Sequence, residues 1–273
     1  MVMTSDRSAQ IIQRAKELGA TMAGIASIEL LKKSPSHKIR DKIDAEAVKA
    51  DSSLDLADVL EIRWSQEVKS ALVIAVSHPQ DKPELDWWDT KGSPGNRTLI
   101  RINRELANWI EQEFGFKTHK MPYSVRTGGI YLKDLAVLSG LGCIGRNNLL
   151  VTRELGPRVR LRAMLLEDEL TPTGPIAFDP CEDCDEYCRK ACPQNALDEI
   201  VFSSGEQRTG SLPGRDGSFS RTRCLIQMDK DNEDSEIDYS KMVQFAWDTE
   251  EIPQAERCAR YCRQCELACP VGN

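Results

Sequence analysis

Nine of the chain's ten cysteines fall between positions 181 and 269, and their spacing repeats. The first block reads Cys181-x2-Cys184-x3-Cys188-x3-Cys192-Pro193, and the second reads Cys258-x3-Cys262-x2-Cys265-x3-Cys269-Pro270. Cys181, Cys188 and Cys192 each recur 77 residues later as Cys258, Cys265 and Cys269, whereas Cys184 and Cys262 are offset by one. Cys224 stands between the blocks, and Cys143 lies well before them. A disulfide framework suits a small secreted domain. This chain has 273 residues, and its opening, MVMTSDRSAQ, lacks the apolar core of an export signal. A cytoplasmic setting is expected, in which clustered thiolates hold metal.

Short spacings closed by Cys-Pro fit cubane iron–sulfur clusters, because one loop then places thiolates on three corners of a cube. The cysteine before proline lies just past that loop, and in two-cluster ferredoxins it ligates the other cluster. Two blocks therefore predict two 4Fe-4S clusters with crossed ligation. Zinc in four-cysteine sites is the competing reading, but zinc sites rarely come as two blocks each ended by Cys-Pro. The first block departs from the usual ferredoxin spacing by one extra residue between Cys184 and Cys188. Nine cysteines also compete for eight corners. Repeat symmetry gives one cluster Cys192, Cys258, Cys262 and Cys265; the alternative replaces Cys258 with Cys224.

The first 170 residues read as an α/β mixture. Ile11, Ile12, Ala15 and Leu18 recur at helical spacing before Gly19, as do Leu99, Ile102, Leu106 and Trp109 before Gly115, and Tyr131, Leu132, Leu135 and Leu138 before Gly140. Residues 71–76 (ALVIAV) form an apolar run suited to a strand buried on both faces. Leu149 to Val151, a turn at Gly156-Pro157, and alternating Val159, Leu161, Ala163 and Leu165 suggest a hairpin. The character changes near Thr171. Residues 203–220, rich in Gly and Ser, read as a surface loop, and residues 229–238 as a solvated acidic face. No run approaches the ~18 apolar residues of a membrane span.

Several segments together resemble the epoxyqueuosine reductases and their relatives, the corrinoid-dependent reductive dehalogenases. They are LGATMAGIA (18–26), SALVIAVSHP (70–79), LAVLSGLGCIGRNNLL (135–150), LGPRVRLRAMLLEDEL (155–170), RCLIQ (223–227) and IPQAER (252–257), in order with the cysteine blocks. The resemblance implies an α+β chain: a nitroreductase-like, corrinoid-binding α/β domain over 1–170, then a ferredoxin-like domain with two 4Fe-4S clusters over 171–273. It implies that Cys224 completes the second cluster and Cys258 is spare. The ligands are then Cys181, Cys184, Cys188, Cys192, Cys224, Cys262, Cys265 and Cys269.

The resemblance also places a cobalamin against the glycine-rich loop, through Gly140, Gly142, Cys143, Gly145, Arg146 and Asn147. Gly140, Gly142 and Gly145 spell GxGxxG, but a dinucleotide site needs that motif to follow a strand and open a helix. Here it follows a helix. The implied activity is reduction of an unidentified small molecule, or of a partner's corrinoid, with electrons from a ferredoxin- or flavodoxin-type donor.

Two departures bear on the reaction. An ungapped alignment puts Arg126 where epoxyqueuosine reductases carry an aspartate proposed as proton donor, and a guanidinium does not release a proton. Arg126 is expected to hold an anionic group, with Tyr131 or Tyr123 as phenolic donors. The sequence also stops three residues after Pro270, where the long epoxyqueuosine reductases are expected to continue into a helical-repeat region, and its net charge is −7. Both argue against tRNA or other nucleic acid as a partner. His37, His78 and His119 match no ligand pattern. Trp87-Trp88 reads as a loop anchor.

Overall fold

The computed structural model describes residues 6–50, 55–62, 64–87, 92–202, 212–232 and 260–272. In chain order its elements are α1 (Arg7–Glu17), β1 (Met22–Ser27), α2 (Ile28–Lys32), α3 (Pro35–Lys38), α4 (Arg40–Ala50), β2 (Ser70–Ser77), α5 (Pro94–Phe114), β3 (Thr118–Lys120), α6 (Leu132–Leu138), β4 (Cys143–Ile144), β5 (Leu150–Val151), β6 (Val159–Leu166), α7 (Tyr187–Lys190), α8 (Arg221–Asn232) and α9 (Gln264–Leu267). The three helices read from apolar spacing are α1, α5 and α6. Asp6 caps α1 by accepting from the Ser8 amide at 3.1 Å. Ser93 caps α5, Pro94 opens it, and Gly115 ends it in the left-handed region.

The main sheet runs β1-β2-β6-β3 and is antiparallel throughout. Side chains alternate across a strand, so β2 feeds two cores. Ala71, Val73 and Ala75 join Leu31, Ile130, Leu135 and Ala136 on the α2/α6 face. Leu72, Ile74 and Val76 join Ile11, Leu99, Leu106 and Ile110 on the α1/α5 face. The result is a helix–sheet–helix sandwich with β2 buried on both sides.

The expected hairpin does not form. Leu150–Val151 pairs instead with Cys143–Ile144, and β6 pairs with β2 and β3. The turn at Gly156 is present, but β6 is apolar enough to be drawn to the sheet centre, out of reach of the short β5. The Gly/Ser-rich stretch is also not a surface loop where it is described. Leu212 and the half-buried Phe219 pack with Phe202, Ile39 and Ile43, which seals residues 212–220 against α3 and α4. The acidic stretch begins as the exposed end of α8, at Asp229 and Asp231.

Candidate metal centre

The fold sorts eight cysteines into two neighbourhoods. Cys188 sits on α7 and Cys265 on α9, and these helices pack together. Cys188 is buried with Cys181, Cys184 and Cys269 around it; burial, then the neighbouring Cys181 and Cys269 sulfurs, push its thiol up to about 11. Cys269 likewise is raised by burial and by Cys181 and Cys184. These four cysteines line one cavity together with Arg146, Asn147, Tyr187, Pro270 and Val271. In the second neighbourhood, burial followed by Cys262 and Cys192 raises Cys224 to about 11. Burial and the sulfurs of Cys224, Cys262, Cys188 and Cys192 also raise Cys265. Cys269 thus stands with the first block, and Cys192 with the second.

Raised thiols mean that a metal must displace protons when it binds. Among the described residues, no three Cys, His, Asp or Glu side chains converge on the position of a single ion. A cubane takes its thiolates at four separated corners, and the donor set of two all-cysteine quartets fits that chemistry. Cys258 lies outside the described residues. Cys143, the tenth cysteine, hydrogen-bonds to the Cys181 thiol; that bond lowers Cys181 to about 6 and, with burial, raises Cys143.

The glycine-rich loop follows α6 and leads into β4, as expected. Gly140 and Gly142 meet the chain's own backbone, and Gly145 meets side chains. A Cβ on Gly142 would lie 2.1 Å from the Val151 carbonyl oxygen, and one on Gly140 3.0 Å from that of Thr173. One on Gly145 would lie 2.6 Å from Asn147 Oδ1. The polar residues of the loop reach toward the cysteine segment. Arg146 Nε donates to the Cys181 carbonyl at 3.1 Å, and its guanidinium pairs with Glu186. Asn147 Nδ2 donates to the Cys265 carbonyl at 3.4 Å. Next to it, Asn148 Oδ1 accepts from Lys133 Nζ at 3.0 Å and from the Gly214 amide at 3.1 Å. In this arrangement Arg146 and Asn147 bracket the cysteine segment.

Tyr131 occupies the N-cap of α6. Its ring meets His37 edge-on with centroids 4.8 Å apart, and His37 also tilts against Trp64 at 5.6 Å. His37 Nδ1 shares a 2.8 Å hydrogen bond with Ser34 Oγ, which donates to Asp134 Oδ2 at 2.6 Å. Asp134 also accepts from Ser36 N and Ser36 Oγ. Tyr131 Oη and His37 Nε2 are buried and have no hydrogen-bond partner among the described residues. Burial pushes the Tyr131 phenol up, with Asp44 adding to it, and lowers His37 to about 4. The phenol therefore keeps its proton and the imidazole stays neutral near pH 7. Arg126 lies in the turn before α6, where its carbonyl accepts from the Leu60 amide at 2.8 Å. Burial also raises the Tyr123 phenol, against the Arg162 charge. Trp87 is half-buried beneath Arg260, whose guanidinium carbon lies 4.5 Å from the ring centre; Trp88 lies outside the described residues. His78 is buried, and His119 pairs with Glu167 at 2.8 Å.

Sequence reasoning missed the Asp134–Ser34–His37 chain and the seam made by Arg158. The seam had a signal: Arg158, Arg160 and Arg162 alternate along an otherwise apolar strand, which is costly unless each finds partners.

The geometry defines an α/β sandwich carrying two cysteine quartets, and comparison gives the relatives. No protein-family model matches the chain. A tetrachloroethene reductive dehalogenase of Desulfitobacterium hafniense is 42% identical over 126 residues, covering 42% of this chain and 22% of that protein. The epoxyqueuosine reductase of Gloeobacter violaceus is 29% identical over 235 residues, covering 76% of this chain and 68% of that protein. The chain thus has homologues among epoxyqueuosine reductases and reductive dehalogenases, and spans about a fifth of the dehalogenase's length (22%).

Solved structures share the fold. The epoxyqueuosine reductase of Streptococcus thermophilus superposes with TM-score 0.63 at 21% identity, over 97% of this chain and 65% of that one. A reductive dehalogenase structure described in terms of B12-dependent dehalogenation gives 0.51 at 15%, over 84% of this chain and 30% of that one. An epoxyqueuosine reductase solved with a modified tRNA stem loop gives 0.61 at 18%, over 97% and 64%. The expectation against a nucleic-acid partner therefore finds no support. Among the described residues, no helix is long and apolar enough to cross a membrane.

Proposed function

We propose that the chain is an iron–sulfur oxidoreductase that carries electrons through two 4Fe-4S clusters to a corrinoid, which reduces an organic substrate. One observation carries this reading: eight cysteines fall into two crossed quartets within a fold shared with reductases. The first cluster would be held by Cys181, Cys184, Cys188 and Cys269, and the second by Cys192, Cys224, Cys262 and Cys265. Bound clusters supply one-electron transfer at low potential. In this reading residues 1–170 form the nitroreductase-like domain and 171–273 the ferredoxin-like one, fed by a ferredoxin- or flavodoxin-type donor.

The chain's own residues divide the remaining work. Tyr131 presents a neutral phenol and holds a proton at Oη. Arg126 brings a permanent positive charge, suited to an anionic substrate group. His37, kept neutral, orients the Tyr131 ring from its edge. A solved neighbour described in terms of B12-dependent dehalogenation supports a corrinoid, which when bound would supply the reduction of the substrate, while the glycine-rich loop brackets the cysteine segment. That loop favours a second reading, in which this chain delivers electrons to a corrinoid held by a partner.

Gel filtration of the anaerobic, cluster-loaded chain with cob(II)alamin separates the two. Co-elution supports the chain as its own corrinoid enzyme. Elution of all cobalamin at the free position overturns it in favour of the electron carrier.

A further inference from the structure

We propose that Arg158 is a positioning residue for the first cluster, fixing the Cys269 loop and holding a permanent positive charge beside it. The inference rests on the reading that Cys181, Cys184, Cys188 and Cys269 hold a cluster. Arg158 precedes β6 and is 6% exposed. Its Nη1 donates to the carbonyls of Glu266 at 3.4 Å and Cys269 at 3.3 Å, and its Nη2 to that of Val271 at 2.7 Å. One guanidinium from the sheet domain thus gathers three carbonyls of a single short turn, including that of a ligand cysteine. The five donors of arginine in a rigid fork suit such a task.

The backbone supports the same docking. Val271 presses on Gly156, where a Cβ would lie 1.9 Å from the Val271 oxygen. Arg146 holds the Cys181 carbonyl of the same quartet. The second quartet receives the neutral Asn147 amide at Cys265.

A cluster gains negative charge when it is reduced. A buried guanidinium cannot give up its proton, and its field is weakly screened there. Arg158 therefore favours the reduced first cluster. At an effective dielectric of about 20, a unit charge roughly 10 Å away contributes on the order of a tenfold change in a one-electron equilibrium, which is about 59 mV.

The test is an EPR-monitored redox titration of the full, anaerobically reconstituted chain, with iron counted on the same samples. Arg158→Met and Arg158→Lys are compared with the parent; Cys269→Ser supplies the reference spectrum of the second cluster. The Met variant is expected to make first-cluster reduction about tenfold harder while the second cluster stays put. Loss of the first cluster alone in the Met variant, restored in the Lys variant, also supports the role. Unchanged potentials, or both clusters shifted or lost together, overturn it. A parent chain that assembles no clusters refutes instead the reading beneath it.

Discussion

Replacing Gly156 with alanine tests the docking of the cysteine segment on the sheet domain. Gly156 has φ +56°, and a Cβ there would lie 1.9 Å from the Val271 oxygen. The left-handed backbone costs an alanine about 1–2 kcal/mol. The turn cannot simply retreat, because Thr152 and Gly156 exchange backbone hydrogen bonds at 2.8 and 3.0 Å. Val271 must move instead, and its carbonyl then leaves Arg158 Nη2, which it meets at 2.7 Å. Losing this part-buried hydrogen bond to a charged group costs roughly 1.5–3 kcal/mol.

Together these give about 2.5–5 kcal/mol. Gly115→Ala is the internal control: its φ is +76°, but nothing lies within 4 Å of the added carbon. It should lose only the backbone cost of about 1–2 kcal/mol. Anaerobic urea denaturation followed by circular dichroism, with iron per chain measured in parallel, reads both effects. Gly156→Ala should unfold at clearly lower urea than Gly115→Ala and lose iron from the first cluster. Equal midpoints and full iron in both variants would refute the docking.

Crossed ligation gives a sharper genetic test. Cys269→Ser should remove the first cluster and spare the second, and Cys192→Ser should do the reverse, as read by EPR; loss following the linear blocks would contradict the arrangement. Cys224→Ser should damage the second cluster while Cys258→Ser leaves eight irons, and the opposite result would favour repeat symmetry. Acid should also destabilise the fold through two histidines. His37 and His78 are each lowered to about 4, chiefly by burial, below the ordinary 6.5. Between these values the unfolded chain binds more protons, so stability falls as pH drops from about 6.5 toward 4. The urea midpoint should decline over that window, and less steeply in His37→Gln, His78→Gln double variants.

The sequence made local features legible where one residue type decides the outcome. Gly19, Gly115 and Gly140 punctuate three helices, and the ALVIAV run announces β2. Met22–Ser27 carries no strand signal in sequence, because MAGIAS mixes small residues without alternation. The hairpin failed because strand pairing is chosen by the whole sheet: β6 offers a better apolar face to β2 than to the two-residue β5. Residues 212–220 look like a loop by composition, yet Leu212 and Phe219 find Ile39 across the fold. The two cysteine blocks and their crossing are legible in the spacings, whereas the place of Cys224 is implied only by the family resemblance. Arg158 and Asp134 were not legible, since their partners lie 108–113 and 98–100 residues away.

The central claim is that this fold assembles two cubanes on crossed cysteines. Iron and acid-labile sulfide, counted on the anaerobically reconstituted chain beside its visible spectrum, test it most directly. About eight irons and eight sulfides per chain, with broad charge-transfer absorption that bleaches on reduction, are expected. Stoichiometric zinc with a colourless spectrum would contradict it.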